Sequence, residues 1–201
     1  MSENYLYEYA GLLERILSFA YAHKYSSSLV ERGVSYSPFF QKIERSHIES
    51  SPIETEKKLI DDIFGSNHPD PSEVPSYNQC AWAAESYIRI QAKSHLCFEC
   101  LFLYMPIQTM YSYFPLYHEM DFSAIIAEFE RLFKEKTALS ILASNYGYTL
   151  KEVALKTSLP YDSVYSVAKR RRLPSKASFD MVSKLSSFLN VRPETIAEIE
   201  M

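Results

Sequence analysis

The chain has 201 residues, 47% of them hydrophobic, and a net charge of −4. This apolar content excludes a disordered chain, and four glycines disfavour an all-β fold with many tight turns. No apolar run reaches the ~20 residues of a membrane span. The start, Met1-Ser2-Glu3-Asn4-Tyr5, lacks a basic stretch followed by an apolar one, and three cysteines suit a reducing compartment. A cytoplasmic protein with no membrane partner is expected.

The first element is a helix. Leu6, Ala10, Leu13, Leu17 and Ala20 recur at alternating spacings of four and three, which puts them on one face. It ends near His23-Lys24-Tyr25. Two short segments come next, Ser26 to Ser35 and Tyr36 to Ser46, then a helix from about Ile53 to Phe64. Gly65 to Ser76 contains three prolines and no apolar periodicity, so it reads as a linker. Tyr77 to Leu103 reads as one or two helices. Leu96, Phe98, Leu101, Phe102 and Leu103 surround its end on nearly all sides, which predicts burial. Pro106 and Pro115 interrupt the stretch beyond it. Ser123 is placed to cap a helix over about Ala124 to Lys134, with Ile125, Ile126, Phe129 and Leu132 inward. That helix is positioned to run on into the C-terminal part and fix its orientation.

Tyr148 to Arg172 reads as two short helices joined by a tight turn. Thr149 is an N-cap candidate, and Glu152 three residues later completes a capping box. Val153 and Ala154 face a core, Ala154 being small where two helices cross steeply. Thr157-Ser158-Leu159-Pro160 makes the turn, and Ser158 or Pro160 starts the second helix. Val164, Val167 and Ala168 give that helix its apolar stripe. Arg170-Arg171-Arg172 comes next, where such a motif meets phosphates.

These residues resemble the lambda-repressor/Cro-like helix-turn-helix family, the xenobiotic-response-element type. Leu189-Asn190-Val191-Arg192-Pro193-Glu194-Thr195-Ile196 is similar to the Leu-Asn-Val-x-x-x-x-Ile ending of that family, after Phe179, Val182, Leu185 and Leu189. The resemblance spans about Thr137 to the end. It implies a first helix over roughly Thr137 to Tyr146, with Leu139 and Leu142 inward and Gly147 as its C-cap. Ser158 and Arg170 stand where the family commonly has glycine, and Asp162 is unusual on a surface that approaches DNA. Ser26 to Arg45 is a second, more degenerate match. There Gly33-Val34-Ser35 would be the turn, and Phe39-Phe40-Gln41-Lys42-Ile43-Glu44-Arg45 the end of a recognition helix.

The expected fold is all-α, with a five-helix lambda-repressor-like domain over 137–201 on a larger helical N-terminal body. That body divides into a helical part over 1–65, a linker over 66–76 and an interaction or dimerisation region over 77–136. By the resemblance, Tyr161, Asp162 and Ser166 face bases, with Tyr165 beside them. Thr149, Lys151, Lys169, Arg170, Arg171, Arg172 and Lys176 meet phosphate. From Thr137 onward nine Lys/Arg accompany six acids, whereas the rest holds 12 basic and 19 acidic residues. A basic module on an acidic body suits a DNA-binding head. Double-stranded DNA is the expected partner, bound by a homodimer formed through the body. The alternative is a protein-interaction module, related to antitoxins or phage-defence counterparts, that keeps the fold as scaffold and meets its partner through the N-terminal region.

Other constellations carry less. Cys97-Phe98-Glu99-Cys100, with Cys80 and His95, lacks a second Cys-x-x-Cys and lies in an apolar stretch, which predicts buried thiols rather than a zinc site. Arg89 and His95 have the spacing found in the HEPN ribonuclease toxins. They are read instead as a surface arginine and a packed histidine. No catalytic arrangement stands out, so no enzyme activity, metal or cofactor is expected. Tyrosines such as Tyr5, Tyr7, Tyr9, Tyr104, Tyr111, Tyr113 and Tyr117 suit either an interface or a core margin.

Overall fold

The structure is a computed structural model that describes residues 3–45, 56–71 and 74–198. Among these residues there are thirteen α-helices and no strand. The all-α expectation holds at that level. None of the described helices is long and apolar enough to cross a membrane.

The body is built from α1 (Glu3–Ala22), α2 (Ser27–Tyr36), α3 (Pro38–Glu44), α4 (Glu56–Phe64), α5 (Asn78–Ser94), α6 (Phe98–Tyr104), α7 (Ile107–Tyr117) and α8 (Phe122–Glu135). The four-three apolar spacing of α1 buries Ala10, Leu13, Leu17 and Ala20 along its length against α5. The buried face of α5 includes Cys80, Ala83, Ala84, Tyr87 and Ile88. Aromatic edges lock α3 to α6 through Phe40 and Phe98, with ring centroids 5.3 Å apart. Such pairs contribute roughly 0.5–1.5 kcal/mol beyond burial. Tyr9, Tyr87 and Tyr104 are core residues, whereas Tyr7 is exposed.

The proline-rich stretch after α4 lies along α1. The Arg15 guanidinium donates to the carbonyls of Val74 (2.9 Å) and Pro71 (3.1 Å). His68 stacks edge-on against Phe19 at 5.1 Å and meets Asp61 at 2.8 Å.

Three expectations about local structure are corrected. Helix α2 runs straight through Gly33-Val34-Ser35, where a turn was expected. Gly33 serves helix approach instead: a Cβ there would lie 2.5 Å from Ile63 Cγ2 on α4. The second "recognition" segment is also interior, because Phe39, Phe40, Ile43 and Glu44 are all buried. The cap of α8 is Asp121, whose carboxylate accepts from Ser123 N at 2.8 Å, and the helix stops at Glu135 rather than running on. The expected start at Ile53 lies outside the described residues.

Beyond Lys136 a second hydrophobic cluster begins. It is formed by α9 (Ala138–Asn145), α10 (Leu150–Thr157), α11 (Tyr161–Ala168), α12 (Phe179–Leu189) and α13 (Pro193–Ala197). A 3-10 turn at Pro174–Lys176 lies between α11 and α12. Its buried residues include Leu139, Leu142, Val153, Ala154, Val164, Val167, Met181, Leu185 and Ile196. Leu103 packs against both clusters. Phe179, the first residue of α12, is 84% exposed. Met181 takes the first inward position of α12, and Phe179 lies about 200° away around the helix.

Candidate nucleic-acid interface

Local chemistry shapes the α10–α11 pair. Thr149 Oγ1 accepts from Glu152 N at 3.2 Å, and Glu152 Oε2 accepts from Thr149 N at 2.8 Å. That capping box holds the Glu152 carboxyl below its ordinary value, chiefly through the Thr149 backbone bond. Helix α10 ends on Ser158 in the left-handed region, at φ +54°, and Leu159 N returns to Ala154 O at 3.0 Å. Ala154 is 4% exposed at this crossing. Pro160 supplies the entry to α11, which has Pro160 rather than Ser158 as its N-cap.

At about 3.6 residues per turn, Tyr161, Tyr165, Lys169, Asp162 and Ser166 succeed one another around an arc of roughly 140°. Val164, Val167 and Ala168 point the other way into the core. Tyr161, Asp162 and Lys169 are exposed, while Tyr165 and Ser166 are half-buried. The Tyr161 and Tyr165 rings are 5.7 Å apart, and the Arg171 guanidinium sits 5.0 Å over the Tyr165 ring. A cation thus continues the aromatic row of the helix face.

The basic residues do not act alike. Lys151, Lys169, Arg171, Arg172 and Lys176 are exposed. Arg172 donates to the carbonyl of Lys176 through Nε at 2.9 Å and through Nη2 as well, which curls the loop. Arg170 is the correction. Its backbone is left-handed, at φ +51°, and its side chain turns back to the body. Nε donates to Lys136 O (3.2 Å), Nη2 to Phe133 O (2.5 Å), and Nη1 pairs with Glu198 Oε2 at 2.8 Å. The guanidinium carbon lies 4.5 Å from the centroid of the Phe133 ring, over its face. With these donors committed internally, Arg170 anchors the loop to the body.

Two buried polar clusters bind the second unit to the body, and sequence reasoning missed both. In the first, Glu198 accepts from Ala138 N (2.6 Å) and Tyr104 Oη (2.7 Å) besides pairing with Arg170. In the second, Arg192 pairs with Glu44 at 2.9 Å and donates to Ser35 O, while Glu99 accepts from Arg192 N and Thr195 Oγ1. Glu44 also accepts from Phe98 N at 2.6 Å. No local pattern announces these pairs; the one signal in the sequence was acidic residues embedded in apolar helices. Thr137 ties the start of α9 to the end of α11, its hydroxyl donating to Ala168 O at 3.0 Å while its oxygen caps α9.

The three cysteines are free and buried, and burial pushes the Cys97 thiol up to about 11. Arg89 is bound by Glu85 and lies 4.8 Å over Phe122. His95 is exposed at the left-handed end of α5 rather than packed. Among the described residues no cluster of His, Cys, Asp or Glu could hold a metal ion. Comparison of the chain with protein-family models, with curated proteins and with solved structures gives no match.

Proposed function

We propose that this chain is a sequence-specific, double-stranded-DNA-binding transcription regulator of helix-turn-helix type, cytoplasmic and dimeric through its body. The supporting observation is the outward arc of α11, where Tyr161, Tyr165, Asp162 and Ser166 lie together and are followed by the exposed Lys169, Arg171, Arg172 and Lys176. Asp162 accepts from a cytosine amino group, and Tyr161 packs on a thymine methyl. The N-terminus of α10 with Lys151 holds phosphate on one side. Lys169, Arg171, Arg172 and Lys176 hold it on the other. Binding-site selection with Tyr161→Ala and Ser166→Ala tests this reading. Each good base contact is worth roughly 1–3 kcal/mol of discrimination, so the variants should select altered motifs. Motifs identical to the wild type's would refute base reading by this face.

A second reading is favoured by exposed apolar side chains elsewhere on the C-terminal unit. Leu155 on α10 is 80% exposed, Leu173 is 56% and Phe179 is 84%. They fit a protein-interaction module that keeps the scaffold. No affinity for any duplex at moderate salt would favour it.

A further inference from the structure

We propose that the cavity between α5, α8 and the loop that leaves α11 is a binding site for a small apolar molecule carrying a single carboxylate. The cavity has a volume of about 380 Å³, within the range of small-molecule sites. Its apolar wall comes from Leu96, Ile126, Phe129 and Phe133 on the body side and from Leu173 and Pro174 on the loop. Leu173 is 56% exposed although it lines this space, so an apolar occupant gains by covering it.

Charge selects the headgroup. Lys93 reaches Glu130 at 2.8 Å, and Lys134, four residues after Glu130, lines the same cavity. Two lysines therefore accompany one acid. The other two charged groups lining the cavity, Arg170 and Glu198, already pair with each other at 2.8 Å. The lining holds one positive charge in excess, enough for one carboxylate. A dianion would add repulsion from Glu130 and Glu198. The loop that closes the cavity carries Arg171 and Arg172, but the site itself stands independently of DNA reading, and its test uses the protein alone.

Decanoate serves as the probe, with decanol as its neutral counterpart. Calorimetry on the full chain should show saturable, single-site binding of decanoate. Methyl NMR should place the shifts at Ile90, Ile126 and Leu173 and leave Ile60, in the body core, unmoved. Lys134→Glu, a change at an exposed position, should weaken decanoate about tenfold and leave decanol unaffected. Ile126→Trp, which fills the space, should abolish both. Absence of saturable binding would overturn the proposal. So would shifts spread through the body core, or equal decanoate affinity in the Lys134→Glu protein.

Discussion

Replacing Arg170 by alanine is expected to destabilise the protein while leaving its salt response to DNA intact, the reverse of what its neighbours should do. Removing one member of a buried pair costs roughly 3–5 kcal/mol, because the other charge stays buried. Glu198 is 2% exposed and Arg170 22%, which places the loss near the lower end, at about 3 kcal/mol. For a chain of this size each kcal/mol moves the thermal midpoint by roughly 2–4 °C, so the midpoint should fall by about 6–12 °C. Arg170→Gly should be milder by about 1 kcal/mol, because glycine relieves the left-handed backbone. Arg171→Ala loses one exposed cation–π contact, worth ~0.5–1 kcal/mol. The DNA assay separates the roles. Fluorescence anisotropy across a salt series, well below the midpoint, should show the double change Arg171→Ala/Arg172→Ala flattening the log–log slope by about two units. Arg170→Ala should leave that slope alone. An Arg170→Ala protein as stable as Arg171→Ala, or one with a flattened slope, would refute this division of labour.

Ser158→Gly should raise stability by up to about 1 kcal/mol, since Ser158 sits at φ +54°; a lower melting midpoint would contradict the left-handed turn. Gly33→Ala should cost roughly 1–3 kcal/mol by overpacking against Ile63, with a smaller loss in the Ile63→Ala background; equal losses in both would remove the contact from the explanation. Burial pushes the Glu31 carboxyl above its ordinary 4.5, against the bond from Ile107 N. The folded state therefore holds that proton more tightly. The contribution is full below 4.5 and is lost as pH rises through the raised value. Urea unfolding from about pH 4 to 8 should show a gentler decline in Glu31→Gln; an unchanged profile would acquit this carboxylate.

What could be read from the sequence was local. The capping box at Thr149 and Glu152 needs only residues three apart, and the stripe of α11 needs only helical spacing, so both were legible. Ser158 and Arg170 could be noticed as departures from glycine, and both are left-handed in the structure. Gly33 misled, because a glycine that lets two helices approach looks the same in sequence as one that makes a turn. Arg170 misled for a related reason. A run of three arginines carries no mark of which one faces inward, and the partners at Phe133, Lys136 and Glu198 lie far away along the chain.

The pairing of Glu44 with Arg192 also has a consequence for biosynthesis. The two are 148 residues apart. At roughly 5–20 residues per second on the ribosome, the carboxylate is made about 7–30 s before its cation. During that wait Glu44 cannot be buried as an anion without large cost. Docking of α3 onto α6 is therefore expected to wait, leaving Phe39, Phe40 and Phe98 less well covered in the meantime. Removing α13 and Arg192 is therefore expected to loosen α3 and α6 in the body, although neither helix is near them in the sequence.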